Sequence, residues 1–171
     1  MKTSARPLKD LIADCAAVSG SATNRVLFTK DICDILVKSG RYSAVWIGFA
    51  GNDPARTVVP IACSGQAQKY LSSIEISWDE NRDIGKGPGG RAIRENKAQV
   101  VTNILDSIDF MHPWWESAMK NGLLSLAVLP FTTQSGEKAV LAIYASQFFA
   151  FPEEDVHALE NLALLVGQNC P

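Results

Sequence analysis

Histidine is scarce in this chain, with only His112 and His157 among 171 residues. The four cysteines, Cys15, Cys33, Cys63 and Cys170, form no C-x-x-C pair. The ligand spacing of a zinc site is therefore missing, and so is the framework of a disulfide-stapled domain. These thiols read as reduced, and the protein as cytoplasmic. No apolar run approaches the ~18 residues that cross a bilayer. The opening MKTSARPLKDLIADC lacks a signal-peptide core and carries Asp10 and Asp14. No block of Lys or Arg occurs, and 16 basic against 18 acidic residues leave a net charge of −2. That balance excludes an electrostatic nucleic-acid partner. A phosphate-binding G-x-x-x-x-G-K-[ST] loop is also absent.

What is present is core-forming material. Hydrophobic residues make up 47% of the chain and charged residues 20%, in a length that suits one domain. Leu8, Leu11, Ile12, Cys15 and Val18 recur at helical spacing, and SGSAT at Ser19–Thr23 breaks that helix. A second helical pattern runs through Val26, Leu27, Ile32, Ile35, Leu36 and Val37, and stops at Gly40. AVWIGFA at Ala44–Ala50 predicts a strand, and VVPIACS at Val58–Ser64 its hairpin partner across GNDPAR. Pro60 marks an edge or a bulge. SIEIS at Ser73–Ser77 alternates as a short third strand would.

Further on, AQVVTNI at Ala98–Ile104 predicts a strand, and a helix is expected over Pro113–Asn121 with Gly122 beyond it. LSLAVLPFT and KAVLAIYAS predict two strands around the turn TQSGE. The last helix starts near Pro152 and buries Val156, Leu159, Leu162, Ala163 and Val166. Strands joined by tight turns give an antiparallel sheet, so the fold class is α+β: about six strands, terminal helices on one face, short helices and loops over the other.

The loop GKGPGGRAI fits G-x-G-x-x-G through Gly85, Gly87 and Gly90, with Asp106 about 20 residues on. A dinucleotide loop must follow a buried parallel strand directly. Here the polar SWDENRDI precedes it. The glycines instead suit a helix start at Gly87–Pro88 and a close backbone approach at Gly89 and Gly90.

The runs WDENRDIGKGPGGRAIRENKAQVVTNI, DSIDFMHPWWESAMKNGLLSLAVLPF and FPEEDVHALENLA resemble a GAF domain over roughly Thr23 to Gln168. The resemblance implies an antiparallel sheet with a small-molecule pocket under a roof of loops and short helices. It also implies terminal helices that pair in a homodimer, and an output kinase, cyclase or phosphodiesterase module in the same protein or in trans. Residues 1–22 then form an N-terminal helix and linker, a candidate dimer or signalling helix. Residues 23–168 form the domain, and 169–171 a tail.

Sub-families differ in their chemistry. Free methionine sulfoxide reductases of this fold use cysteines around the Gly loop, and this chain has none from Ser64 to Asn169, so no enzyme activity is expected. The cyclic-nucleotide pattern keeps Asn96, Lys97 and Phe110 but meets Trp114 and Trp115 where an acidic pair belongs. No Cys-His pair offers a bilin attachment. A haem or redox sensor would draw on His112 as an axial ligand.

The cofactor stays unnamed, and so does the ligand. The expected ligand-binding residues are Trp46, Trp78, Asp79, Phe110, Trp114, Trp115, Ser125 and Tyr144. Aromatic faces stack on planar ligands or cage cations. Trp114 and Trp115 point about 100° apart on a helix, so they cannot both turn fully inward. Asp79, Asp106 and Asp109 make the roof acidic, which favours an amine-bearing ligand or a metal, unless Arg91 or Arg94 neutralises them. A ligand-free dimerisation module, with Trp78 and Trp114 filling the cavity, is the alternative.

Overall fold

The computed structural model describes residues 5–171. Its elements are α1 (Leu8–Ser19), α2 (Arg25–Lys38), β1 (Ala44–Ala50), β2 (Val58–Gly65), α3 (Ala67–Leu71), α4 (Pro88–Glu95), β3 (Gln99–Val101), α5 (Ile108–Lys120), β4 (Ser125–Thr132), β5 (Lys138–Ala145) and α6 (Glu153–Asn169). A single 3-10 turn at Asp83–Gly85 precedes α4. The sheet order is β2-β1-β5-β4-β3, with every pair antiparallel. The α+β class holds, with five strands where about six are expected.

Side-chain alternation divides the sheet into two cores. Val45, Ile47, Leu129, Phe131, Leu141 and Ile143 face α1, α2 and α6. Trp46, Leu126, Val128, Val140, Ala142 and Tyr144 face the opposite way, toward α3, α4 and α5. Both faces are covered, so the central strands read as nearly continuous apolar runs. In α1, Leu8, Leu11 and Cys15 are buried in the same core as α2 and α6.

Local signals explain most boundaries. Asn24 caps α2 by accepting the Leu27 N–H at 3.0 Å. Gly40 turns the chain out of α2 with φ of 76°. β2 is an edge strand, and its pairing with β1 shifts by one residue between Ile47 and Gly48, opposite Pro60.

Three expectations change. Ser73–Ser77 forms no strand of its own; it makes one bridge, Thr57 to Ser77. Two bonds flank that bridge, Val58 N–H to Ile76 O and Trp78 N–H to Arg56 O, both at 2.9 Å, and the outward Ser77 N–H donates to Ile84 O at 3.0 Å. The α5 helix begins at Ile108, one turn before Pro113, so the proline lies inside the helix. The strand over Ala98–Ile104 shortens to Gln99–Val101, because Asn103 leaves it to build a turn. Its amide donates to the Asp106 carboxylate at 2.7 Å, and its carbonyl accepts the Ser107 hydroxyl at 2.6 Å.

Candidate functional site

The Gly loop builds the roof. Gly87 stands as the extended residue before α4, and Pro88 takes the first helical position, where a missing N–H costs nothing. Asn96 ends the helix in the left-handed region with φ of 50°. A Cβ at Gly90 would strike the Gly85 and Ser77 carbonyl oxygens, and one at Gly87 would overlap the Trp114 ring. The glycines therefore serve backbone and ring packing. Arg94 secures the loop from below, donating from Nη1 to Gly85 O at 2.6 Å and Trp78 O at 3.1 Å.

Between roof and sheet lies a cavity of about 20 Å³, room for about one water molecule. The sheet supplies Trp46 from β1, Leu126 and Val128 from β4, and Tyr144 from β5. The roof supplies Tyr70 from α3, Ile76, the Pro88–Gly89 start of α4, and Met111 and Trp114 from α5. None of these lining residues carries a charge.

Three polar atoms belong to this wall. The Tyr144 hydroxyl donates to the Tyr70 hydroxyl at 3.5 Å, the outer limit of a hydrogen bond. Burial pushes both hydroxyls above the ordinary tyrosine range, so both stay neutral. Trp46 is 1% exposed, and its Nε1–H has no hydrogen-bond partner among the described residues. It faces the Tyr144 hydroxyl without reaching bonding geometry. Trp46 and Tyr144 share a sheet face as diagonal neighbours, with Ala44 opposite Tyr144 and Trp46 opposite Ala142.

Of the eight residues expected from sequence, Trp46, Trp114 and Tyr144 line this cavity. Trp114 turns inward and donates from Nε1 to Glu75 O at 2.8 Å. Its neighbour Trp115 is half-buried and donates to Leu105 O at 3.3 Å. Trp78 donates to Gly51 O at 2.9 Å and lies under the Arg56 guanidinium, 4.8 Å from the ring centre. Asp79 accepts the Asn81 N–H at 3.0 Å, which holds its carboxyl below the usual range. Phe110 is exposed on α5. Ser125 is fully buried and donates to Gln147 O at 2.7 Å. His112 is exposed on α5 and does not line the cavity.

The sequence misses Tyr70. It lies on α3, a helix of five residues, too short for an apolar period to show. Asp79, Asp106 and Asp109 stand outside the cavity, so the acidic roof does not reach it. None of the four cysteines lines it either. Cys15 and Cys33 are buried on the helix side of the sheet, where burial raises both thiols, that of Cys15 to about 12. Among the described residues no cluster of His, Cys, Asp or Glu could hold a metal, and no helix is long and apolar enough to cross a membrane.

Solved structures share this architecture. The fRMsr of Staphylococcus aureus, in complex with substrate, superposes with a TM-score of 0.75 at 18% identity, covering 99% of this chain and 100% of that one. The free methionine-R-sulfoxide reductase of Neisseria meningitidis gives a TM-score of 0.75 at 18% identity, over 98% of this chain and 90% of that one. The GAF domain from a phosphoenolpyruvate-protein phosphotransferase of Coxiella burnetii gives 0.69 at 16% identity, over 98% and 94%. No curated protein matches the sequence. These likenesses are of fold. They overturn the expectation that the chain is no enzyme, because this architecture, over nearly the whole chain, is also that of reductases. Residues 28–169 match the family model of the GAF domain, so the chain belongs to the GAF domain family, whose members are in general ligand-binding regulatory domains.

Proposed function

We propose that this domain senses a small molecule held between the sheet and the α3–α5 roof, and passes its binding on through α1 and α6. The reading extends to a homodimer formed through the terminal helices and to an output kinase, cyclase or phosphodiesterase module, in the same chain or in trans. One observation carries it. An otherwise apolar cavity under the Gly loop contains a buried indole N–H without an acceptor and two tyrosine hydroxyls that scarcely bond each other. Buried polar groups normally find partners, and a group left without one marks a place where something else binds. The terminal helices support the signalling route: α1 packs on α2 and α6, and α6 packs on β4, which lines the cavity from its other face.

A second reading rests on Trp114. Its ring fills the space over Gly87 and leaves room for about one water, which suits a domain that dimerises without a ligand. A thermal-shift screen of small metabolites against the purified chain separates the two. Sensing requires at least one compound that raises Tm by several degrees and loses much of that effect in Tyr70→Phe. A screen in which nothing raises Tm, on a protein that sediments as a dimer, sinks the sensing reading and leaves the dimerisation module.

A further inference from the structure

The polar atoms of the cavity leave a definite remainder when donors and acceptors are counted. The Trp46 indole can only donate, and each tyrosine hydroxyl offers one donor and two lone pairs. The Tyr144 hydroxyl directs its hydrogen toward Tyr70 across 3.5 Å. In that arrangement the Tyr70 hydroxyl and the Trp46 N–H donate no hydrogen bond among the described residues. Two donors without acceptors match the two lone pairs of a single oxygen atom. The cavity volume of about 20 Å³ is also that of one such atom or one water.

Charge narrows the choice. The lining holds no Lys, Arg, His, Asp or Glu. An ionised carboxylate or phosphate placed there would meet two hydrogen-bond donors but no opposite charge, and an ammonium would meet no carboxylate, so the lost hydration would not be recovered. A neutral oxygen accepts both hydrogen bonds without that cost.

We infer that the cavity takes the neutral, oxygen-bearing end of its ligand, a carbonyl or amide oxygen accepting from Trp46 Nε1 and Tyr70 Oη. This rests on the sensing reading above and specifies the ligand class. The rest of the ligand needs room, and the roof yields it where Trp114 of α5 stands against Gly87.

Three probes with one carbon frame test this: benzamide, benzoate and benzylammonium. The readout is the Trp46 indole N–H resonance of the ¹⁵N-labelled full chain, measured for the wild type and for Trp114→Ala, which opens space for the ring. Trp114→Phe replaces the alanine variant if that one does not fold. Benzamide is expected to shift and saturate the Trp46 signal in the opened variant, with Tyr70→Phe weakening binding about tenfold. Benzoate and benzylammonium are expected to leave the signal unmoved at equal concentration. A Trp46 shift of equal affinity with either charged probe overturns the neutral-oxygen class while leaving the site intact. The absence of any shift with all three in the opened variant also overturns the class, and the metabolite screen then decides the sensing reading by itself.

Discussion

The indole of Trp114 occupies the space that a side chain at Gly87 would need. One residue starts α4 and the other lies in α5, so this contact joins the two halves of the roof. It also sets the cavity size, because the Trp114 ring is one of its walls.

The pair should behave as a coupled unit. Gly87→Ala forces a methyl into the ring and is expected to destabilise by about 1–3 kcal/mol. Trp114→Ala is expected to cost about 3–5 kcal/mol. Once the ring is gone the added methyl has space, so the two costs should fall short of additivity by about 1 kcal/mol or more. Urea unfolding of the two single variants and the double variant measures this directly. Strict additivity would mean that the ring does not rest on Gly87.

Alkaline pH should weaken the fold well before the tyrosines titrate. Burial holds the Cys15 thiol up to about 12, and raises that of Cys33 too. An unfolded thiol loses its proton near ~8.5. Above that pH the unfolded chain binds fewer protons than the folded one, so stability falls as pH rises. The slope is about 1.4 kcal/mol per pH unit for each thiol. Tyr70 and Tyr144, also raised by burial, steepen it above ~10. Urea midpoints from neutral pH upward should show the decline, and Cys15→Ala should remove one thiol's share of the slope. A flat profile would contradict the burial of these thiols.

Acid should act through Arg25 and Glu137. Arg25 donates to the Glu137 carboxylate at 3.0 and 2.5 Å and to Pro171 O at 2.8 Å, with its guanidinium 4.7 Å from the Phe49 ring centre. The Arg25 hydrogen bond, with help from Ser135, holds the Glu137 carboxyl below its usual range. Its contribution is therefore present above the unfolded value of ~4.3 and lost as pH falls through the folded one. Glu137 is 46% exposed, so screening keeps the effect below about 1 kcal/mol. Glu137→Gln should remove this pH dependence. Arg25→Ala should cost more than Glu137→Gln, because it also removes the contacts to Phe49 and Pro171.

The first helix should unfold with the rest. Leu11 is fully buried among α1, α2 and α6. Leu11→Ala is expected to cost about 2–5 kcal/mol in a single cooperative transition. A loss below about 1 kcal/mol, or a separate early transition, would show that α1 is only loosely docked.

Much of this fold is legible in the sequence because period and punctuation agree. The strand at Ala44–Ala50, the breaks at Gly40 and Gly122, and the Gly87–Pro88 helix start follow from local chemistry alone. Pro113 misleads because a proline signals a helix start, whereas burial of Met111 and Trp114 holds it within α5. The site is less legible. Trp46, Trp114 and Tyr144 stand out as large aromatics, but so do Trp78, Trp115 and Phe110, and only tertiary packing separates them. Trp78 and Trp115 spend their N–H groups on the backbone carbonyls of Gly51 and Leu105. Tyr70 carries no local signal, since α3 is barely one turn and the residue gains its role from meeting Tyr144 across the cavity.

The most direct test is to follow the Trp46 indole N–H resonance while the strongest compound from the metabolite screen is titrated into the full chain. Trp46 Nε1 is the buried donor without a partner, so an occupant of the cavity must change its surroundings. The expected result is a large, saturable shift of that one resonance, with the affinity that the thermal shift implies. Saturable binding that leaves the Trp46 signal unmoved would place the ligand elsewhere and contradict the cavity as the sensing site.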